Sequence, residues 1–299
     1  MTTKAPSRPI RSRWPLLAVA TVVAVACAVW AVAARGDGWL AAALRDGTTI
    51  LSGVVFAVSA MVLCLCLTAL LRMGHWRPAV REGRSGEAGT ATVEFVLVLV
   101  IALPVALLMV QSMQLMAGNI VVHHSGYAAA RSAIVNVPEK RSYEEPRNVV
   151  AAAGFSDKLD DIRWAAVEVL KGVSPGKPGA GGAQAAPIAT DAMVAGFQQF
   201  FGASGAETPA WVTNTLQARY DYAWTYTDVE LAPPEDGEVY GDHEELTVTV
   251  RHQLYMAVPY ANRVMALLHN AGKQLSGSDD YASEVTVSYT LTNQGQEDE

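Results

Sequence analysis

The stretch Gly86-Glu87-Ala88-Gly89-Thr90-Ala91-Thr92-Val93-Glu94-Phe95-Val96-Leu97-Val98-Leu99-Val100-Ile101-Ala102-Leu103-Pro104 decides how the chain is read. From Phe95 onward no Asp, Glu, Lys or Arg occurs until Arg131. A bilayer core of about 30 Å is crossed by roughly 20 helical residues, so this run is long enough to span and to continue beyond. Glu94 stands at its lip. A charge at the centre of a spanning helix costs on the order of 2.5–3.5 kcal/mol, and less near an end. In the first turns of a helix a carboxylate also meets the positive end of the helix dipole. For a lone residue, an interfacial Glu facing water is explanation enough. Pro104 removes one backbone hydrogen bond in mid-span and predicts a kink.

Two further apolar runs precede this one, Pro15 to Ala34 and Thr49 to Leu71, both free of charged residues. Three spans are therefore expected. Trp14, Trp39 and Trp76 fall near their ends, where amphipathic rings are favoured. Lys4, Arg8, Arg11 and Arg13 make the amino terminus basic, and Arg72, Arg77, Arg81 and Arg84 do the same for the second loop. The first loop offsets Arg35 and Arg45 with Asp37 and Asp46. Basic segments stay in the cytoplasm, so the third span exits and everything after about residue 118 is extracytoplasmic. The first run also has the basic start and small-residue end of a long secretory signal; either reading puts the carboxy-terminal part on the same side.

Composition agrees. Hydrophobic residues make up 51% of the 299 and charged residues 17%, against about 25% charged in ordinary soluble domains. Whole-chain disorder is excluded. Residues 1–88 net +6 and residues 89–299 net −13. An acidic second part excludes a nucleic-acid footprint. Cys27, Cys64 and Cys66 all lie in apolar runs, so no disulfide clamps the exported part.

The expected organisation is a basic cytoplasmic tail (1–14), a two-helix membrane module (15–72), a basic cytoplasmic loop (73–89), a spanning and continuing helix (90–135) and an extracytoplasmic α+β domain (136–299). Gln111 to Ile134 continues the third span, with Met113, Met116, Ile120 and Val121 as a loose apolar stripe and Pro138 as the latest stop. Ser156 to Lys171 reads as an amphipathic helix carrying Leu159, Ile162, Val167 and Leu170 on one side. Residues 173–187, rich in Gly, Pro and Ala, form a flexible connector. A short helix follows from Thr190 to Phe201. Three strands are then expected: Ala218 to Leu231, with Tyr220, Tyr222, Trp224 and Tyr226 alternating; Leu246 to Val258; and Glu284 to Asn293. Tyr260 to Asn270 reads as a helix between the last two. The fold class is thus an α+β membrane protein, with a long helix packed on a small antiparallel sheet of about three strands. The tail 294–299 is polar and frayed.

The basic segment before Gly89, the Gly89-Thr90 pair, the Glu at the fifth position after Gly89 and the uncharged helix behind it resemble the class III signal of type IV pilin-like proteins. Ala91 to Pro104, together with Ala128-Ala129-Ala130-Arg131-Ser132-Ala133, resembles the TadE-like pseudopilins of tight-adherence (Tad, Flp-type) pilus systems. The resemblance covers about residues 86–135. It implies an inner-membrane minor pilin or pseudopilin of a bacterium, acting by helix-to-helix assembly with other pilin-like subunits and pilus assembly proteins. It also implies a membrane-embedded prepilin peptidase cutting between Gly89 and Thr90 on the cytoplasmic side. Glu94 would pair with the new amino terminus of a neighbouring subunit. An ammonium and a carboxylate attract more strongly as the dielectric falls, and each offsets part of the other's burial cost. Phe95 departs from the Tyr of many Flp-type signals. The long segment before Thr90 departs further, and three readings stand side by side. It is a fused membrane module; it is removed with the leader; or translation starts at Met73, giving a short basic leader.

Other candidate chemistry is thin. His123-His124 is an adjacent pair whose side chains point about 100° apart on a helix, a poor chelate. Ser174-Pro175-Gly176-Lys177 has Ser-x-x-Lys spacing but lies in a connector, not on a rigid platform. The loop from Pro233 to Glu245 clusters Asp236, Glu238, Asp242 and Glu244, the closest approach to an oxygen-rich cation site, although its spacing fits no EF-hand. A solvated acidic hairpin is the simpler reading. No motif for a cofactor, catalytic triad or zinc site is present, and an enzyme is not expected. The alternative to the pilin reading is an uncleaved three-span protein whose outer domain binds a ligand or envelope partner.

Overall fold

The computed structural model describes residues 30–31, 35–36, 38–75, 88–151, 156–177, 195–199, 201–202, 210–234, 237, 239–268, 272–274 and 280–293. The chain is α+β. Its elements are α1 (Trp39–Arg45), α2 (Gly47–His75), α3 (Ala88–Asn136), α4 (Asp157–Leu170), α5 (Ala210–Thr225), β1 (Thr227–Leu231), β2 (Glu245–Tyr255), α6 (Ala261–Leu268), β3 (Gly272–Gln274) and β4 (Tyr281–Thr292). Residues 195–199 and 201–202 are also helical, overlapping the helix expected from Thr190 to Phe201 and passing its end by one residue. Two helices, over Gly47–Cys66 and Val98–Asn136, are long and apolar enough to cross a membrane. Nearly all of the first expected span, 15–34, lies outside the described residues. So do most of the loop 73–89, most of the connector 173–187 and the tail 294–299.

The four strands form one antiparallel sheet in the order β1-β2-β4-β3. The β2–β4 register sets Leu246 opposite Leu291, Val248 opposite Tyr289, Val250 opposite Val287 and His252 opposite Val285. All eight therefore share one face, and α3 lies across it. The opposite face is polar: Thr247 bonds Thr290 at 2.8 Å, Thr249 bonds Ser288 at 2.9 Å, and Arg251 pairs with Glu230 at 3.0 Å. One dry and one wet face is the usual economy of an antiparallel sheet.

Where α3 meets the sheet it is stripped of bulk. Its buried apolar side chains are Leu115, Val122, Ala129, Ala130 and Ala133, most of them spaced by three, four and seven residues as one helical face requires. Gly118 and Gly126 fall in the same stripe. A β-carbon at Gly118 would lie 2.9 Å from a Leu254 methyl, and one at Gly126 would lie 2.7 Å from Val287 Cγ2. The close approach thus depends on both glycines. This stripe replaces the expected one of Met113, Met116, Ile120 and Val121. Met113 points outward, 64% exposed, and the other three are half-buried beside the core. The helix ends at Asn136, just before Pro138, as expected.

α4 matches its expected bounds closely. Ser156 is its N-cap, accepting from the Leu159 N–H at 3.0 Å, and Ile162, Val167 and Leu170 are buried. The strand expected at 218–231 is largely wrong. Ala210–Thr225 is helix, and only Thr227–Leu231 is strand. Tyr220/Trp224 and Tyr222/Tyr226 alternate in sequence, but each pair is also spaced four apart, one helical turn. Tyr220 and Trp224 stack against Trp164 of α4, with ring centres 6.2 and 4.7 Å away. Tyr222 packs on Tyr226, Tyr255 and His252 and donates its hydroxyl to the Gln253 carbonyl at 2.8 Å. The sheet face under α3 is consequently mainly aliphatic, with Tyr289 and His252 its ring-bearing residues. β3, three residues long, is the strand that periodicity missed.

Candidate assembly site on the long helix

α3 is the element on which every candidate assembly residue sits. It runs unbroken for 49 residues, with Pro104 inside it; the expected kink produces no interruption. Gly89 and Thr90 occupy its first turn, and Glu94 and Phe95 its second. Only the backbone of these four residues is described. The outward face beyond them is apolar and uncovered, with Val96, Leu99, Val100, Ile101 and Leu103 exposed.

From Glu94 the helix rises about 38 Å to Asn119, at 1.5 Å per residue. That exceeds the roughly 30 Å of a hydrocarbon core; the stretch is apolar from Phe95 to Val110 and turns partly polar at Gln111, Ser112 and Gln114 before Asn119. Asn119 is fully buried. Its Nδ2 donates to the Ala43 carbonyl at 3.3 Å, to Asp46 Oδ2 at 3.2 Å and to the Thr49 hydroxyl. Asp46 in turn caps α2, accepting from the Thr48 N–H at 2.8 Å. One amide therefore ties the α1–α2 corner to α3. One turn on, Trp39 stacks on His124 with centres 4.9 Å apart. Tyr289 of β4 donates to the Trp39 carbonyl at 3.3 Å and meets His123 Nδ1 at 3.1 Å. The corner, the long helix and the sheet thus converge on one polar junction.

The junction bears on the amino-terminal segment. α2 and α3 form an antiparallel hairpin in which Thr49 is level with Asn119. The loop before α2 therefore lies at the same end as the start of the sheet domain. The same arrangement follows from the charge pattern. Small polar residues line the hairpin, Thr49, Ser52 and Ser112 being fully buried, and their small side chains let the two helices approach closely. Gln111 Nε2, Asn119 Oδ1 and His123 Nε2 are buried without a partner among the described residues.

The remaining candidates are dispersed. His123 and His124 turn to different partners, Tyr289 and Trp39. Ser174 donates back to the Leu170 carbonyl at 2.9 Å, while Lys177 pairs with Asp280 at 3.0 Å; the two do not form a nucleophile and base. Asp242 accepts from Asn148 Nδ2 at 3.2 Å, and Glu244 Oε2 accepts from the Gly241 N–H. Asp236 and Glu238 lie outside the described residues. No grouping of His, Cys, Asp and Glu suited to a metal ion occurs among the described residues.

Two buried ionisable sites escaped the sequence reading. Lys158, fully buried on α4, donates to the carbonyls of Val137 at 2.9 Å, Pro146 at 2.8 Å and Val149 at 2.9 Å. Burial lowers its pKa, against the pull of Glu145. Burial raises the Glu145 carboxyl, but bonds from the Ser156 hydroxyl and the N–H groups of Ala151 and Lys158 outweigh it and hold the group below its ordinary value. Together they pin the turn after α3 to the start of α4. The second site is His252, beneath the sheet, whose Nδ1 bonds Thr227 Oγ1 at 2.8 Å. Desolvation pushes its pKa down to about 3, so the ring is neutral.

Compared with protein-family models, curated proteins and solved structures, the chain matches none of them.

Proposed function

We propose that the chain is a TadE-like minor pilin or pseudopilin, an inner-membrane component of a tight-adherence pilus assembly or related secretion system, acting without a cofactor and without catalysis of its own. The observation that carries this reading is the division of α3. Its carboxy-terminal half is wrapped by an antiparallel sheet, while its amino-terminal half presents bare apolar surface with Gly89 and Glu94 in the first two turns. A helix held by the sheet at one end, and at the other packed by α2 on one side with Val96, Leu99, Val100, Ile101 and Leu103 left exposed, suits lateral packing of copies in a membrane. A prepilin peptidase needs the Gly89-Thr90 bond unwound. Gly89 eases this, since glycine in a helix is about 1 kcal/mol less favourable than alanine. Once Thr90 is the amino terminus, Glu94 is placed to receive the ammonium of an adjoining copy. The amino terminus of the precursor is cytoplasmic and the sheet domain extracytoplasmic in this reading.

The test is a carboxy-terminal tag read on a blot. Wild type yields a product about 89 residues short of full length, Gly89→Val leaves the full chain, and Glu94→Ala is cut normally but fails to join partner subunits. Normal processing of Gly89→Val refutes the reading.

One observation favours a second reading, an uncleaved three-span protein whose outer domain binds a ligand or envelope partner. The Asn119 junction packs α1 and α2 onto α3, as befits a permanent module. Under that reading the blot shows a single full-length species in every variant.

A further inference from the structure

α6 lies between β2 and β3 in the chain and turns Ala261 and Met265, one helical turn apart, into the core. Its outer side is the reverse of what solvent favours. Tyr260 just before it is 76% exposed, Val264 41%, Leu267 82% and Leu268 51%. These residues stand at i, i+4, i+7 and i+8, a continuous apolar stripe. Nothing in the described chain covers it, and soluble surfaces rarely leave such a patch bare without a partner.

Its height on α3 identifies the partner. The Val258 N–H, two residues before Tyr260, donates to Gln111 Oε1 at 2.9 Å, and Gln111 is fully buried. Leu254 packs on Gly118, about two turns further up α3. β2 therefore descends toward the apolar half of the long helix, and α6 lies at the bottom of the domain. Counting roughly 20 residues of hydrocarbon from Phe95 places the upper edge of the core near residue 114. Gln111 is then just inside that edge, and α6 hangs at it. Val110 and Met113, flanking Gln111, are themselves exposed on α3, so the stripe continues the apolar surface of the spanning helix.

Charge placement agrees. From His252 to Ser278 the chain has no Asp or Glu, and carries Arg263 and Lys273. Residues 89–299, which contain this segment, net −13. The first described carboxylate after this window, Asp280, is engaged by the Tyr255 hydroxyl at 2.9 Å and by Lys177 at 3.0 Å. Arg263, exposed on α6, has the reach to set its stem along apolar surface and its guanidinium among anionic headgroups. A short apolar face, a flanking Tyr and a cationic edge are the features of an interfacial helix bedded at the headgroup–acyl boundary.

We propose that α6 is an interfacial membrane anchor, bedding Tyr260, Val264, Leu267 and Leu268 into the outer leaflet and so fixing the height and tilt of the sheet domain over the bilayer. The proposal rests on α3 spanning the membrane and is independent of cleavage at Gly89. The experiment uses the full chain, in a background of Cys27→Ser, Cys64→Ser and Cys66→Ser, reconstituted in nanodiscs of phosphatidylethanolamine and phosphatidylglycerol. An environment-sensitive fluorophore is attached at Leu267→Cys, and separately at Ile101→Cys in mid-span and at Tyr143→Cys, which is 99% exposed on the domain. The Leu267 probe should shift to the blue, lose intensity to doxyl groups near the headgroup, and resist iodide in the water. The Ile101 probe should be quenched by doxyl groups at the chain ends, and the Tyr143 probe by iodide alone. Quenching of the Leu267 probe by iodide and not by lipid, with the Ile101 probe still quenched by lipid, overturns the anchor while leaving the span intact. Protection from both quenchers that fades as the protein is diluted into lipid assigns the stripe to a second copy and also overturns it. An Ile101 probe reached by iodide removes the span and the anchor together.

Discussion

Substituting Gly126 by alanine sets two effects of opposite sign against each other. In an exposed helix interior the change stabilises by roughly 0.5–1 kcal/mol, because alanine loses less backbone freedom. At Gly126 the new methyl would lie 2.7 Å from Val287 Cγ2 and 2.9 and 3.2 Å from the Tyr289 ring. Carbon atoms prefer about 3.5–4 Å. Neither neighbour yields readily. Val287 is stiff at χ1 and paired with Val250 in mid-sheet, and the Tyr289 hydroxyl is held by His123 and Trp39. Overpacking of this kind costs about 1–3 kcal/mol, so the net loss is on the order of 1 kcal/mol. For a domain of this size that lowers the thermal midpoint by about 2–4 °C. The assay is thermal unfolding of the full chain in micelles, followed by near-ultraviolet circular dichroism. Gly118→Ala, whose new methyl meets only the flexible end of Leu254, should lose less. Gly47→Ala, with open space around it, should lose nothing. A Gly126→Ala protein at least as stable as wild type would refute the close approach of α3 to the sheet.

Asn119→Asp keeps the shape of the junction but sets a carboxylate beside Asp46; thermal unfolding should show a loss of about 1–3 kcal/mol near neutral pH, partly recovered in acid, and an indifferent variant would detach the α1–α2 corner from α3. Ser156→Ala removes both the cap of α4 and a bond to Glu145, for a cost of about 1–2 kcal/mol in denaturant titration. Because the Glu145 carboxyl is held below its ordinary 4.5, the stability it contributes is present above that pH and is lost as pH falls through its lowered folded value; Glu145→Gln should flatten that acid limb. His252 titrates near 3 when folded and at 6.5 when free, so the unfolded chain binds the extra proton between those values. Stability should therefore fall by up to about 1.4 kcal/mol per pH unit on acidification through that window, with no contribution above it, and His252→Gln should remove the slope.

The parts of the fold legible in sequence are those in which one period dominates. α3 has no charge for 36 residues, from Phe95 to Ala130. β2 alternates buried and less buried residues along its length. α4 has a cap and an apolar stripe. Reading failed where two periods coincide, as with the aromatics of α5, or where an element is too short for any period, as with β3. The junction was illegible for a different reason. Asn119 and its partners are 70 to 76 residues apart in sequence, and nothing local marks a lone Asn as a tie between helices. Lys158, between Asp157 and Leu159, has the sequence look of a solvated lysine; its burial follows from three carbonyls of the preceding turn that need a donor. The glycines at 118 and 126 did leave a signal, because a long helix has little use for them unless something must come close.

The most direct measurement is the amino-terminal residue of the chain purified from cells that carry their own prepilin peptidase, read by mass spectrometry. A chain beginning at Thr90, produced in full-length form only when Gly89 is replaced, is the expected result. A chain still joined to the peptides upstream of Gly89, in cells where Glu94 is freely replaceable, would contradict it.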